Sequence, residues 1–149
     1  MTASTVEPSV LPVHSELLGT LPVPSDQVVE FSEGLYGFPE ARRFALLPTP
    51  REGLFWLQSV EHSALVFLLV DPFPVFPHYH LELGDADKAR LGTGSGEDIL
   101  VLSIVTMGEA GQPCTANLHA PLLFNARLGQ AHQSIRTDDG FSMREAFAL

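Results

Sequence analysis

His78, His80 and Glu82 fall at alternate positions just after a proline-rich stretch. On an extended strand, residues two apart share a face. Two imidazoles and a carboxylate would then line one side, a donor set that suits Zn or Fe. The pattern does not continue: His119 and His132 lie further on with no matching local spacing. Spacing by itself is a weak signal. The competing reading is a pair of exposed or hydrogen-bonded histidines beside a loop, and no metal ligand is assigned. A metal-dependent barrel enzyme using His78 and His80 is the less favoured alternative.

Other groupings point away from catalysis. Gly92, Gly94 and Gly96 alternate with Thr93 and Ser95, but no lysine follows and Glu97 and Asp98 come next. Two carboxylates there would repel a phosphate, and the chain continues as a β-rich run rather than a helix. Cys114 and His119 would point to opposite faces of a strand, and no cation nearby in sequence lowers the thiol pKa. Ser59, Ser63, Ser103 and Ser134 sit in no Gly-x-Ser-x-Gly elbow. Glu97-Asp98 and Asp138-Asp139 read as solvated loop charges. The expectation is a protein that is not an enzyme and holds no cofactor. Phe73 and Phe76, set among Pro72, Pro74 and Pro77, either pack within their loop or serve as anchors for a protein partner.

The composition agrees with a binding role. The chain has 149 residues with 8 Lys+Arg against 18 Asp+Glu, a net charge of −10. Such a surface repels phosphate, so direct binding to nucleic acid or to anionic lipid is disfavoured, while a basic protein partner is permitted. The single cysteine, Cys114, excludes an intrachain disulfide and a Cys-rich zinc site. The N-terminus shows no cationic stretch followed by an apolar run, which argues against a signal peptide. The most apolar segment, residues 64–70, is far shorter than a membrane helix of about 20 residues. A cytoplasmic, soluble chain is expected.

The elements that would position these residues are mostly strands. Residues 28–31, 44–47, 54–60, 64–70 and 98–107 are rich in β-branched, leucine and aromatic side chains. Residues 79–83, 114–118, 122–126 and 130–136 are further candidates. Asp85 would cap one short helix through Leu91. Residues 141–149 form a terminal helical turn or simply pack down. Pro8, Pro12, Pro22 and Pro24 break regular structure, so residues 1–25 are expected to be a disordered N-terminal tail, the alternative being an arm pinned across the domain. Residues 26–149 then make one domain. Roughly seven to nine short strands with regular turn signals predict an all-β fold, a single small antiparallel β-barrel-like domain with one short helix.

Several segments in order resemble one family. Residues 33–38 read Glu-Gly-Leu-Tyr-Gly-Phe, and residues 55–59 read Phe-Trp-Leu-Gln-Ser. Phe67 is followed by Asp71-Pro72-Phe73, and residues 117–121 read Asn-Leu-His-Ala-Pro before the closing Gly129-Gln130. Together these resemble the elements of the flagellar assembly factor family, FliW, from about residue 28 to residue 135. The first 25 residues extend beyond the start that the resemblance gives.

The resemblance implies a small cytoplasmic β-barrel protein without enzymatic activity. It implies binding to CsrA, an RNA-binding translational regulator, which relieves repression of flagellin mRNA. It also implies binding to flagellin, which competes for the same protein and so couples flagellin synthesis to export. A flagellin-binding chaperone with no CsrA role is the alternative within the family. Gly34, Gly37 and Pro121 are read as turn formers, Asp71 as a cap before Pro72, and Gln58 and Asn117 as polar groups that satisfy turns or bulges. The partner-binding surface is placed on Leu35, Phe38, Phe73, Phe76, Asn117 and Leu118. A monomer is expected.

Overall fold

The computed structural model describes residues 9–96, 98–136 and 140–149. Glu97 and the Asp138-Asp139 pair, read above as loop charges, lie outside the described residues, as do residues 1–8 of the expected tail.

Seven strands close into a barrel. In chain order they are β3 (Val28–Phe31), β4 (Arg43–Pro48), β5 (Leu54–Ser59), β6 (Val66–Val70), β7 (Leu100–Thr106), β9 (Leu122–Asn125) and β10 (Gln130–Gln133). Neighbours from β3 through β7 pair antiparallel, as do β7 with β9 and β9 with β10. The circle closes through one parallel contact, β10 with β3, which matches only Gln130 with Glu30 and Ala131 with Phe31. The expected all-β barrel is therefore present, with this parallel seam as its departure from an antiparallel order. β7 divides one of its edges: Leu100, Val101 and Leu102 pair with β9, while Val105 and Thr106 pair with β8 (Cys114–Ala116). β11 (Glu145–Phe147) adds to the far side of β8, so the C-terminal segment is a strand and not a helical turn.

The barrel is filled by large apolar side chains. Phe31 lies against Phe44 and Phe124 in edge-to-face contacts, with ring centroids 5.5 and 5.8 Å apart. Around them pack Val29, Leu57, Leu69 and Leu102. Edge-to-face pairs of this kind add about 0.5–1.5 kcal/mol beyond the burial of their area.

The expected disordered tail is corrected over residues 10–24. β1 (Val10–Ser15) and β2 (Gly19–Pro24) form an antiparallel hairpin that makes its own two-stranded sheet. Val13 and Val23 are 1% exposed and pack on Ala45 of β4. The hairpin lies across the outside of the barrel, which was the alternative reading of this segment. Its apolar residues, unremarkable in period, have a barrel wall to cover.

The expected short helix is present, and the proline-rich segment adds a single helical turn. α1 (Pro72–Val75) is a single turn within the proline-rich segment, and Asp71 caps it by accepting the Phe73 amide at 3.2 Å. Proline suits the first helical position because its missing N–H would have no intrahelical partner there. α2 (Asp85–Leu91) occupies the expected residues, but Gly84 is its N-cap. Asp85 does not cap it; Asp87 accepts the Gly84 amide at 3.3 Å instead.

Candidate protein-binding face

Residues 79–83 form no strand, so the shared face expected for His78, His80 and Glu82 does not exist. The ring nitrogen Nδ1 of His80 lies 3.4 Å from the carbonyl of His78. Among the described residues no group of three or more His, Cys, Asp or Glu side chains is placed to hold a metal ion. The Cys114 thiol lies 3.9 Å from the Met107 sulfur.

The polar residues named from sequence serve turns. Gln58 is fully buried, and its side-chain amide donates to the carbonyls of Ser59 at 3.0 Å and of Leu65 and Ser63 at 3.3 Å. It thereby holds the connection between β5 and β6. The carbonyl oxygen of the Asn117 side chain accepts the His119 and Ala120 amides at 3.1 and 3.0 Å. Pro121 is buried, and its carbonyl accepts the Ser134 amide. Gly34 has a φ of +70° and lies so close to Pro39 that a Cβ would meet its carbonyl oxygen at 2.5 Å. Gly37 has a φ of +90° with open space around it.

The six residues assigned to one binding surface do not form one. Leu35 packs into the barrel core and Leu118 into a second cluster with Val70, Tyr79 and Val105. Both are 2% exposed, so their side chains have no surface to offer. Phe38 is partly exposed and rests edge-to-face on Phe67 at 5.7 Å. Phe73 and Phe76 belong to another group: Phe73 stacks near Tyr79 at 5.5 Å, and Phe76 meets Phe147 at 5.7 Å. The hydroxyl of Tyr79 donates to the Leu118 carbonyl, which ties this second group to the 117–121 loop.

A more continuous face lies beside the parallel seam. After Phe31 the chain leaves β10 and turns through residues 33–38, while beyond β10 the chain continues extended through Ser134, Ile135 and Arg136, with the Ser134 and Arg136 amides donating to the Pro121 and His119 carbonyls. The two paths diverge and leave a cleft of about 260 Å³. Phe31, Leu35 and Ala131 lie among its lining residues, with Tyr36, Gln133 and Ile135. Tyr36 is 79% exposed and Ile135 47%. The cleft is smaller than the usual ligand pocket of about 300–1,000 Å³ and is the size for one or two side chains.

Both walls are anchored to α2. Along β10 and the extended segment that follows it, His132, Ser134 and Arg136 point the same way, as alternation requires. Asp87 of α2 receives His132 Nε2 at 3.3 Å and Arg136 Nη1 at 3.4 Å. Arg136 also donates to the Glu82 carbonyl at 2.7 Å and to Ser134 Oγ. On the turn, Glu33 is ion-paired with Arg90 of α2. Burial lowers the His132 pKa below its ordinary value; the nearby Arg90 adds to this, while Asp87 and Glu33 pull it upward.

Sequence reasoning quoted Tyr36 within its motif but did not offer it as a contact, and it passed over Gln133 and Ile135. No signal in the sequence separates Tyr36 from Leu35: both lie between Gly34 and Gly37, and only Leu35 enters the core.

A family model described as FliW protein matches residues 12–147. The match begins inside β1, so the hairpin is part of the family pattern and not an extension beyond it. A flagellar assembly factor FliW of Treponema denticola is 35% identical over 126 residues, covering 85% of this chain and 86% of that protein. One from Symbiobacterium thermophilum is 38% identical over 122 residues, covering 80% and 88%. A crystal structure titled as the flagellar assembly factor FliW superposes with a TM-score of 0.83 at 29% identity, covering 91% of this chain and 96% of that one.

Proposed function

The chain belongs to the FliW family, and on that premise we propose that it is a flagellar assembly factor that works by binding proteins and not by catalysis. Its partners in this reading are the translational regulator CsrA and flagellin. Bound to CsrA, it lifts repression of flagellin mRNA. Flagellin competes for it, so flagellin that accumulates before export releases CsrA and shuts down its own synthesis. The protein acts in the cytoplasm and as a monomer.

The observation that carries the reading is the extent of the family match, which spans all eleven strands except the first two residues of β1. The net charge of −10 is favourable to it. Long-range attraction speeds encounter with a basic regulator, while RNA, which such a regulator binds, is repelled. Among the described residues no helix is long and apolar enough to cross a membrane.

The test is calorimetric titration of the purified protein with CsrA from the same organism, repeated with flagellin already bound. Binding that flagellin abolishes is the expected result. Binding to flagellin alone would replace the proposal with a chaperone role. Binding to neither, in a folded sample, would remove both.

A further inference from the structure

The geometry points to the Tyr36–Ile135 cleft as a strand-addition site that takes an extended, cationic segment of a partner protein along the free edge from Gln133 of β10 to Ile135 just beyond it. This deepens the function proposed above and rests on it.

The argument begins with the main chain. The Ser134 amide donates to the Pro121 carbonyl at 3.0 Å and the Arg136 amide to the His119 carbonyl at 2.7 Å. Both bonds continue the ladder between β10 and β9, whose register pairs His132 with Leu123 and Gln133 with Leu122. In an antiparallel ladder, alternate residues direct both amide and carbonyl to opposite sides. Ser134 and Arg136 face β9, so Gln133 and Ile135 face away from it. On that other side stands β3, but its pairing with β10 ends at Ala131 and Phe31. At the other end of the seam the Glu30 amide donates to the Gly129 carbonyl at 2.8 Å. Beyond Phe31 the chain departs into its turn, and the edge at Gln133 and Ile135 is presented to the cleft.

The turn does not take β3's place along that edge. Its tie to β10 is through a side chain: Gln133 Oε1 accepts the Tyr36 amide at 2.8 Å. Among the described residues the backbone of Gln133 has no partner on this side. Unmatched main-chain edges in barrels are sites where another chain adds a strand, with backbone bonds supplying affinity and side-chain pockets supplying selectivity. Here the pocket is the cleft, with Tyr36 and Ile135 as exposed apolar walls.

Charge fixes the occupant. The chain carries a net charge of −10, and Glu30 and Glu40 are exposed in the neighbouring segments, outside the lining of the cleft. At the cleft itself Glu33 is ion-paired with Arg90, and Arg136 with Asp87. A segment carrying an apolar residue for the cleft and Lys or Arg beside it matches both features, whereas a second copy of this acidic chain does not.

The test is amide hydrogen exchange by NMR on the ¹⁵N-labelled full chain, free and saturated with purified CsrA or, separately, flagellin. The expected result is exchange at Gln133 and Ile135 at least tenfold slower in a complex, with intermolecular backbone contacts to these two residues. Ser134 and Arg136 should be protected in both states. Tyr36→Ala and Ile135→Ala should each weaken binding at least tenfold with an unchanged melting temperature. A complex that leaves exchange at Gln133 and Ile135 unaltered, or that tolerates both substitutions, overturns the site while leaving the proposed function standing. Failure of both partners to bind a folded sample overturns the function and the site with it.

Discussion

Gln133 holds Tyr36 across 97 residues of sequence: its side-chain oxygen accepts the Tyr36 amide at 2.8 Å, while its nitrogen donates to the Ala120 carbonyl at 3.3 Å. One amide side chain thus connects the 33–38 turn to the 117–121 loop. Gln133→Leu keeps the bulk and removes both bonds. It should lower stability by about 1–2 kcal/mol and raise the exchange rate of the Tyr36 amide. Urea denaturation and amide exchange read the two effects, and unchanged exchange at Tyr36 would show that the turn is held by other contacts.

The two glycines of the turn should differ. Alanine at Gly37 meets only the left-handed backbone, a cost of roughly 1–2 kcal/mol. Alanine at Gly34 adds a Cβ 2.5 Å from the Pro39 carbonyl oxygen, which the backbone must move to relieve. Gly34→Ala should therefore destabilise by about 3 kcal/mol or more. Comparable denaturation midpoints for the two variants would count against this account.

The hairpin makes a direct claim on stability. Val13→Ala and Val23→Ala each remove buried methyl groups and should each cost about 2 kcal/mol. A disordered tail would register no change. Thermal melts of the two variants decide between these.

His132 supplies a pH dependence. Its folded pKa lies below the ordinary 6.5, so the unfolded chain takes up the proton more readily. Stability from this group is then complete above 6.5 and declines as pH falls below it. His132→Gln should flatten that decline in denaturation midpoints measured across the acidic range. A slope as steep as the parent's would place the titration elsewhere.

Much of this architecture was legible in sequence. The residues of β3 were read at their observed bounds and α2 with its start one residue late, and the Asp71 cap and the turn roles of Gln58 and Asn117 follow from residue type. The hairpin was missed because of its prolines, and its register explains why they are tolerated. The Ser25 amide donates to the Ser9 carbonyl, and the pairing continues as Leu11 with Val23, Val13 with Leu21 and Ser15 with Gly19. Pro12, Pro22 and Pro24 all fall on the alternate pairs, where a backbone N–H would face outward and is not needed. The residues of the cleft were harder to read. An aromatic residue in a sequence looks the same whether it enters a core or a surface, and only the divergence of β3 from β10 exposes Tyr36 while burying Leu35 beside it. The parallel seam was out of reach for a similar reason, since it joins segments about a hundred residues apart and leaves no local pattern.

That seam also sets when the binding face can come into being. Phe31 finds Ala131 only after nearly the whole chain has been made, and contacts so distant in sequence form late because a long loop must first be closed. A ribosome-bound or truncated chain can hold the β4–β5–β6 hairpins yet lack the cleft altogether. If the cleft is the strand-addition site inferred above, a fragment that stops short of Ala131 would lack it and could not hold a partner there.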